Sequence, residues 1–195
     1  MTSLRHVLLA ACGLLLALPA LAAPPAPAPL PRDSVYQLPL PLTDAHGARY
    51  DWQALRGKAR VVSMFYTSCQ FVCPLIVDAG KAIENRLTPT QQQRLGIVLI
   101  SMDPARDTPV ALRRLETARA LDPARWTLAA PAADDVRAVA GVLGVRYRQL
   151  STGDFNHSTV LVLLDRDGRA LARTEQVGSV PDPQFLAAVR AAVGR

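Results

Sequence analysis

Arg60-Val61-Val62-Ser63-Met64-Phe65-Tyr66-Thr67-Ser68-Cys69-Gln70-Phe71-Val72-Cys73-Pro74 is the stretch from which the fold can be read. Residues 60–66 are a short, nearly continuous apolar run, the pattern of a strand buried on both faces. Pro74 opens a helix-like segment over 74–87, and proline suits a first helical turn, where its missing N–H is not needed. Two cysteines therefore stand where a buried strand hands over to a helix.

Working outward, 96–101 is a second apolar run. A second helix is expected over 108–121, with Thr108 as N-cap and Pro109 at the first helical position. A short strand at 126–129 and a third helix at 133–143 follow. Two more strands, 159–165 and 169–175, flank the turn Asp165-Arg166-Asp167-Gly168, and Ser179 with Pro181 starts a last helix ending near Val193. Upstream, residues 35–42 and Arg49-Tyr50 flank Thr43-Asp44-Ala45-His46-Gly47, an opening β-hairpin. A β-α-β half followed by a hairpin and a closing helix makes the class α/β, with right-handed crossovers building a parallel part and helices flanking a central mixed sheet.

The first residues have the three-part layout of a secretory signal. Arg5 is followed by an apolar run over 7–18 and then by Pro19-Ala20-Leu21-Ala22-Ala23, small residues that a signal peptidase accepts. The run is shorter than the ~20 apolar residues of a spanning helix. A cleaved signal over 1–22 is expected, with an uncleaved anchor as the alternative. Cys12 lies too close to the start of the run for a lipoprotein-type cleavage box and reads as filler. The Pro/Ala-rich stretch 23–33 reads as an extended linker that packs no core. Residues 34–195 suit one domain.

The formal charge of the chain is +6, and loss of 1–22 lowers it to +5. The basic residues are scattered and not interleaved with aromatics. They read as a solvated surface able to steer an acidic protein partner, not as a nucleic-acid interface.

Cys69 and Cys73 are four apart. On a helical turn that spacing puts two Cβ atoms ~5–6 Å apart, close enough for two thiolates to grip one ion and nearly close enough for a disulfide. A disulfide is the default for a secreted chain, but closing so small a loop removes little chain entropy, which favours a dynamic pair. The positive end of the helix is expected to lower the thiol pKa, as both metal binding and thiol exchange require. Redox thioredoxins use Cys-x-x-Cys, and the extra residue here widens the bite.

Paired thiolates suit copper(I), zinc or iron–sulfur chemistry, and a neutral imidazole as third ligand suits copper in either oxidation state. His6 falls in the signal and His46 in a solvated turn, which leaves His157, beside the strand over 159–165, as the candidate imidazole. Its bland alternative is a partly buried histidine satisfied by Asp154. Asp103 and Asp107, at or before the start of the Thr108 helix, read first as capping and turn residues.

Three blocks bear on these alternatives: Thr67-Ser68-Cys69-Gln70-Phe71-Val72-Cys73-Pro74, Ser101-Met102-Asp103-Pro104-Ala105-Arg106-Asp107-Thr108-Pro109, and His157-Ser158 ahead of a strand ending in Leu164-Asp165-Arg166-Asp167-Gly168. In order and spacing they resemble the Sco/SenC family, from about residue 36 to the end. The resemblance implies a thioredoxin-like fold and one copper ion per chain held by Cys69, Cys73 and His157. It also implies a metallochaperone role at the dinuclear copper centre of cytochrome c oxidase. The partner would be oxidase subunit II or another periplasmic copper carrier, and the chain a periplasmic monomer, soluble or tethered to the inner membrane. Asp103 and Asp107 match the family's paired aspartates. One departure is Gln70, where the family often has proline, which bears on the tuning of the site.

Three rivals stand against this reading, the simplest being a purely structural periplasmic adaptor, for which replacing both cysteines would leave every phenotype intact. A thiol-disulfide oxidoreductase acting on the oxidase's copper-site cysteines would use Cys69 and Cys73 as its redox pair and have no use for His157. A peroxidase of the peroxiredoxin type relies on a single cysteine in a different motif, against the paired motif present here.

Overall fold

The computed structural model describes residues 28–69 and 73–194. The expected signal over 1–22, with Cys12, and residue Gln70 lie outside the described residues. The hairpin forms as expected from β1 (Pro41–Asp44) and β2 (Arg49–Asp51), paired antiparallel. Its turn closes because the Asp44 carboxylate accepts from the backbone N–H groups of His46 and Ala48. Residues 35–37, expected to lead into the first strand, instead make a 3₁₀ turn capped by Ser34. That turn buries Tyr36 edge-on against Trp52, with ring centroids 5.5 Å apart.

The chain then runs through β3 (Ala59–Phe65), α1 (Cys73–Glu84), α2 (Pro89–Arg94), β4 (Leu95–Ser101), α3 (Pro109–Ala118), β5 (Trp126–Pro131) and α4 (Val136–Leu143). It closes with β6 (Tyr147–Gln149), β7 (Phe155–His157), β8 (Leu161–Leu164), β9 (Ala170–Thr174) and α5 (Pro183–Val193). The main sheet has the order β2-β1-β5-β4-β3-β8-β9. β3, β4 and β5 run parallel, while β1, β8 and β9 pair antiparallel with their neighbours. This is the expected thioredoxin-like α/β arrangement with helices flanking a mixed sheet.

β4 and β8 are buried at every position and β3 at all but Arg60, as the continuous apolar runs require. Trp126 and α1 meet at Gly80, where any Cβ would run into the indole ring. The indole N–H donates to the Glu84 carboxylate at 2.8 Å, which Arg125 also engages at 2.8 Å, so the buried carboxylate is satisfied from two sides.

Three elements differ from the sequence reading. α2 was not anticipated, although Thr88-Pro89-Thr90-Gln91 supplies a full capping box with proline in the first turn. α5 starts later than expected: Asp182, not Ser179, is its cap, accepting from Gln184 and Phe185. The small sheet β6–β7 was missed because three-residue strands carry too little periodicity to be seen. The end of the expected linker is also not detached, since Leu30 packs against the core and Gln37 donates to the carbonyls of Leu30 and Pro31.

Candidate metal centre

In an open α/β sheet, sites form beyond the carboxyl ends of the parallel strands. β3 and β4 end in register at Phe65 and Ser101, and the Met102 N–H donates to the Phe65 carbonyl. The loop after β3 carries Tyr66 to Cys69, and the loop after β4 carries Met102 to Thr108. β8 enters the sheet antiparallel to β3, so the preceding residues 157–160 arrive at the same end. Ser63 fixes that approach by donating to the Val160 carbonyl at 2.8 Å.

Cys73 is the first residue of α1, and its backbone N–H donates to the Cys69 sulfur at 3.4 Å. The pair therefore spans a loop–helix junction and does not share a helical face. Its spacing nonetheless brings the two residues together. Neither cysteine is in a disulfide. Cys69 is half-buried, whereas Cys73 is 4% exposed and takes a backbone N–H from Tyr66 at 3.4 Å. Tyr66, Cys69, Cys73, Pro74, Leu115 and Arg119 line a small cavity of about 30 Å³.

The expectation of a lowered thiol pKa is reversed at Cys73. Burial pushes its thiol well above the usual range, and this outweighs the stabilising N–H of Tyr66. Desolvation beats the favourable backbone dipoles because a thiolate loses its hydration there without gaining a cation.

His157, at the end of β7, is half-buried, and burial pulls its imidazole below the usual range. A neutral ring with a lone pair is the form that can ligate. Nδ1 lies 3.1 Å from the Ser158 carbonyl, an arrangement that protonates Nδ1 and leaves Nε2 available. Asp154 is not its partner, being engaged with Thr152.

Tyr66 links the two halves. Its ring packs against His157 at 6.0 Å and Phe155 at 5.2 Å between centroids. Its hydroxyl pairs with the Phe155 backbone, while burial and the Cys69 sulfur raise its pKa. The structure thus brings Cys69 and Cys73 together and packs His157 edge-on against the Tyr66 ring, whose hydroxyl also meets the Cys69 sulfur. Among the described residues no three His, Cys, Asp or Glu side chains are gathered closely enough to enclose a metal.

Thr108 caps α3 as expected, and the Asp107 side chain is engaged elsewhere. Its carboxylate is 1% exposed and reaches across to the cysteine loop. It accepts from the Thr67 N–H at 3.1 Å, from the Thr67 hydroxyl and from the Ser101 hydroxyl at 2.5 Å. Burial raises its pKa against those three donors. Asp103 pairs with Arg106, which also donates to the Gly153 carbonyl, tying this loop to the β6–β7 turn. His46 stays mostly exposed, 3.3 Å from Glu116, away from the cysteines. Tyr66 is the residue that sequence reasoning missed. Its position directly after a buried strand, three residues before Cys69, was the only signal available.

The SCO1/SenC family model matches residues 31–193. A copper-binding protein of Stutzerimonas stutzeri is 30% identical over 74 residues, covering 38% of this chain and 36% of that protein. The chain spans less than two thirds of the length of the curated relatives it matches. Among solved structures, Arabidopsis thaliana ScoI with copper bound superposes with a TM-score of 0.64 at 21% identity, over 80% of this chain and 94% of that one. BsSco, described as a member of the Sco family of cytochrome c oxidase assembly proteins with a disulfide switch, gives 0.66 at 17% identity, over 80% and 92%. At these identities the structural likeness establishes the fold.

Proposed function

This chain belongs to the SCO1/SenC family, and from that premise we propose that it binds one copper ion through Cys69, Cys73 and His157. It acts as a metallochaperone that delivers copper to, or prepares, the dinuclear copper site of cytochrome c oxidase. Copper is its cargo. The observation that carries the reading is the thiol pair at the carboxyl end of β3, with the Cys73 N–H on the Cys69 sulfur and a neutral imidazole against the Tyr66 ring. Two thiolates and an imidazole form a soft set that suits copper(I) and, with the nitrogen, accommodates copper(II). His157 sits on a three-residue strand whose pairing with Tyr147 is short, so closing on a metal disturbs little structure. The chain acts in the periplasm, soluble or held to the membrane by its first residues, as a monomer facing oxidase subunit II or another copper carrier.

One observation favours a second activity at the same site, thiol–disulfide exchange on the oxidase's copper-site cysteines. The half-buried Cys69 and the buried, raised-pKa Cys73 are unequal, as an attacking and a resolving thiol are. His157→Ala separates the two readings. Copper delivery predicts that oxidase activity falls, copper(II) affinity drops and disulfide reduction in vitro is little changed, with Cys69→Ala losing all three. His157→Ala cells with full oxidase activity beside inactive Cys69→Ala cells would leave exchange as the function.

A further inference from the structure

At the pole of the sheet opposite the cysteines, we propose that a cationic groove, placed where the chain enters the domain, docks on anionic phospholipid headgroups. The groove holds about 820 Å³. Lys58, Arg94 and Arg166 line it together with Leu171, Ala188 and Ala191. Leu171 is 51% exposed. Cations beside apolar side chains suit a headgroup whose phosphate meets charge and whose glycerol and first methylenes meet carbon.

Two carboxylates also line the groove, and among the described residues only Asp167 is offset by a paired cation. Asp165 accepts from the backbone N–H groups of Asp167 and Arg169, and Asp167 pairs with Arg56 at 2.8 Å. Among the described residues no carboxylate pairs with Lys58 or Arg166. Burial, with Arg60 and Arg125 nearby, pulls the Lys58 ammonium below its usual range, a strain that an anion in the groove would relieve.

A lipid surface is favoured over an acidic protein by where the chain enters. The Ala28 carbonyl accepts from Arg56 at 2.6 Å, and Ala28 borders a hollow that shares Gly57, Arg166 and Asp167 with the groove. The apolar run over 7–18 precedes Ala28 by nine residues, 19–27, which reach at most about 30 Å when extended. If that run is kept as the uncleaved anchor, a membrane holding it lies within that reach of this pole. β3 starts here at Ala59 and ends beside the cysteine loop at Phe65, a rise of about 20 Å. Docking would thus aim Cys69 and Cys73 away from the lipid, toward the aqueous space. The inference rests on the membrane tether and not on copper.

The test compares the full chain on vesicles of pure phosphatidylcholine with the full chain on vesicles of equal parts phosphatidylcholine and phosphatidylglycerol, followed by hydrogen exchange. Flotation with the phosphatidylcholine vesicles tests the tether separately. The proposal expects amides of residues 165–169 and 186–193 to slow only with phosphatidylglycerol, and the effect to vanish at high ionic strength. A Lys or Arg at an anionic surface changes the binding constant about fivefold, so Lys58→Gln with Arg166→Gln should lower the docking equilibrium constant about 30-fold. Either single variant, expected at about fivefold, serves if the double variant fails to fold. Equal exchange on both vesicles would overturn the proposal, as would protection at residues 73–84 instead. Protection by soluble polyglutamate with none by phosphatidylglycerol would assign the cations to an acidic protein and also overturn it.

Discussion

Replacing Asp107 tests whether the cysteine loop is held from behind by the loop after β4. In Asp107→Ala, the Thr67 N–H, the Thr67 hydroxyl and the Ser101 hydroxyl all lose their acceptor. The backbone N–H cannot rotate to another partner, and a buried donor left unpaired costs about 1–3 kcal/mol. Each hydroxyl adds about 1 kcal/mol. Against this stands relief of the buried carboxylate, whose pKa is raised because desolvation outweighs its hydrogen bonds. The net expected loss is about 2–4 kcal/mol, read as a shift of the urea midpoint at constant slope. Asp107→Asn keeps an acceptor for Thr67 without the charge and should cost about 1 kcal/mol.

The pH dependence follows the same group. A carboxyl with a raised native pKa holds its proton in the folded state after the unfolded chain has lost it at 3.8. Its contribution to stability is therefore present at low pH and is lost as pH rises through the native value. Asp107→Asn should flatten that part of the curve. An Asp107→Ala protein within about 0.5 kcal/mol of the parent would refute the tie between the two loops, since surface substitutions fall in that range.

Further outcomes follow from other parts of the structure. Copper(I) loading should release at least one proton at neutral pH, because the Cys73 thiol is held protonated by burial. Calorimetry in buffers of different ionisation enthalpy reads that number, and zero release would count against Cys73 as a ligand. Gly168→Ala should cost about 2 kcal/mol in a denaturant titration. Gly168 has φ 84°, and a Cβ there would meet the Tyr36 ring and the Ser34 hydroxyl; an unchanged midpoint would contradict that packing. Glu84→Leu should cost about 2 kcal/mol or more by leaving the Trp126 indole N–H buried without an acceptor. The same titration, together with near-ultraviolet dichroism of Trp126, checks it.

How far the fold was legible follows from where the information lies. The apolar runs at 60–66 and 96–101 became β3 and β4 nearly to the residue, because a strand buried on both faces has no polar positions to obscure it. Thr108-Pro109 marked the start of α3, since capping is a local matter. The cysteine pair was legible as a pair, but its ionisation was not. Helix position argued for a low pKa, and the burial that raises it comes from residues distant in sequence. The partners of Asp107 were illegible for the same reason: Thr67 and Ser101 meet it only once β3 and β4 lie side by side. His157 was found as a candidate, but its carrier strand belongs to a hairpin too short to show periodicity, and the Tyr66 ring against it comes from the loop after β3, distant in sequence.

The most direct test of the central claim is X-ray absorption on the reduced chain loaded with one equivalent of copper(I). Binding through Cys69, Cys73 and His157 predicts a three-coordinate first shell of two sulfurs and one nitrogen, with the nitrogen lost in His157→Ala. A first shell of four sulfurs, a nitrogen that persists in His157→Ala, or zinc bound in preference to copper would contradict it.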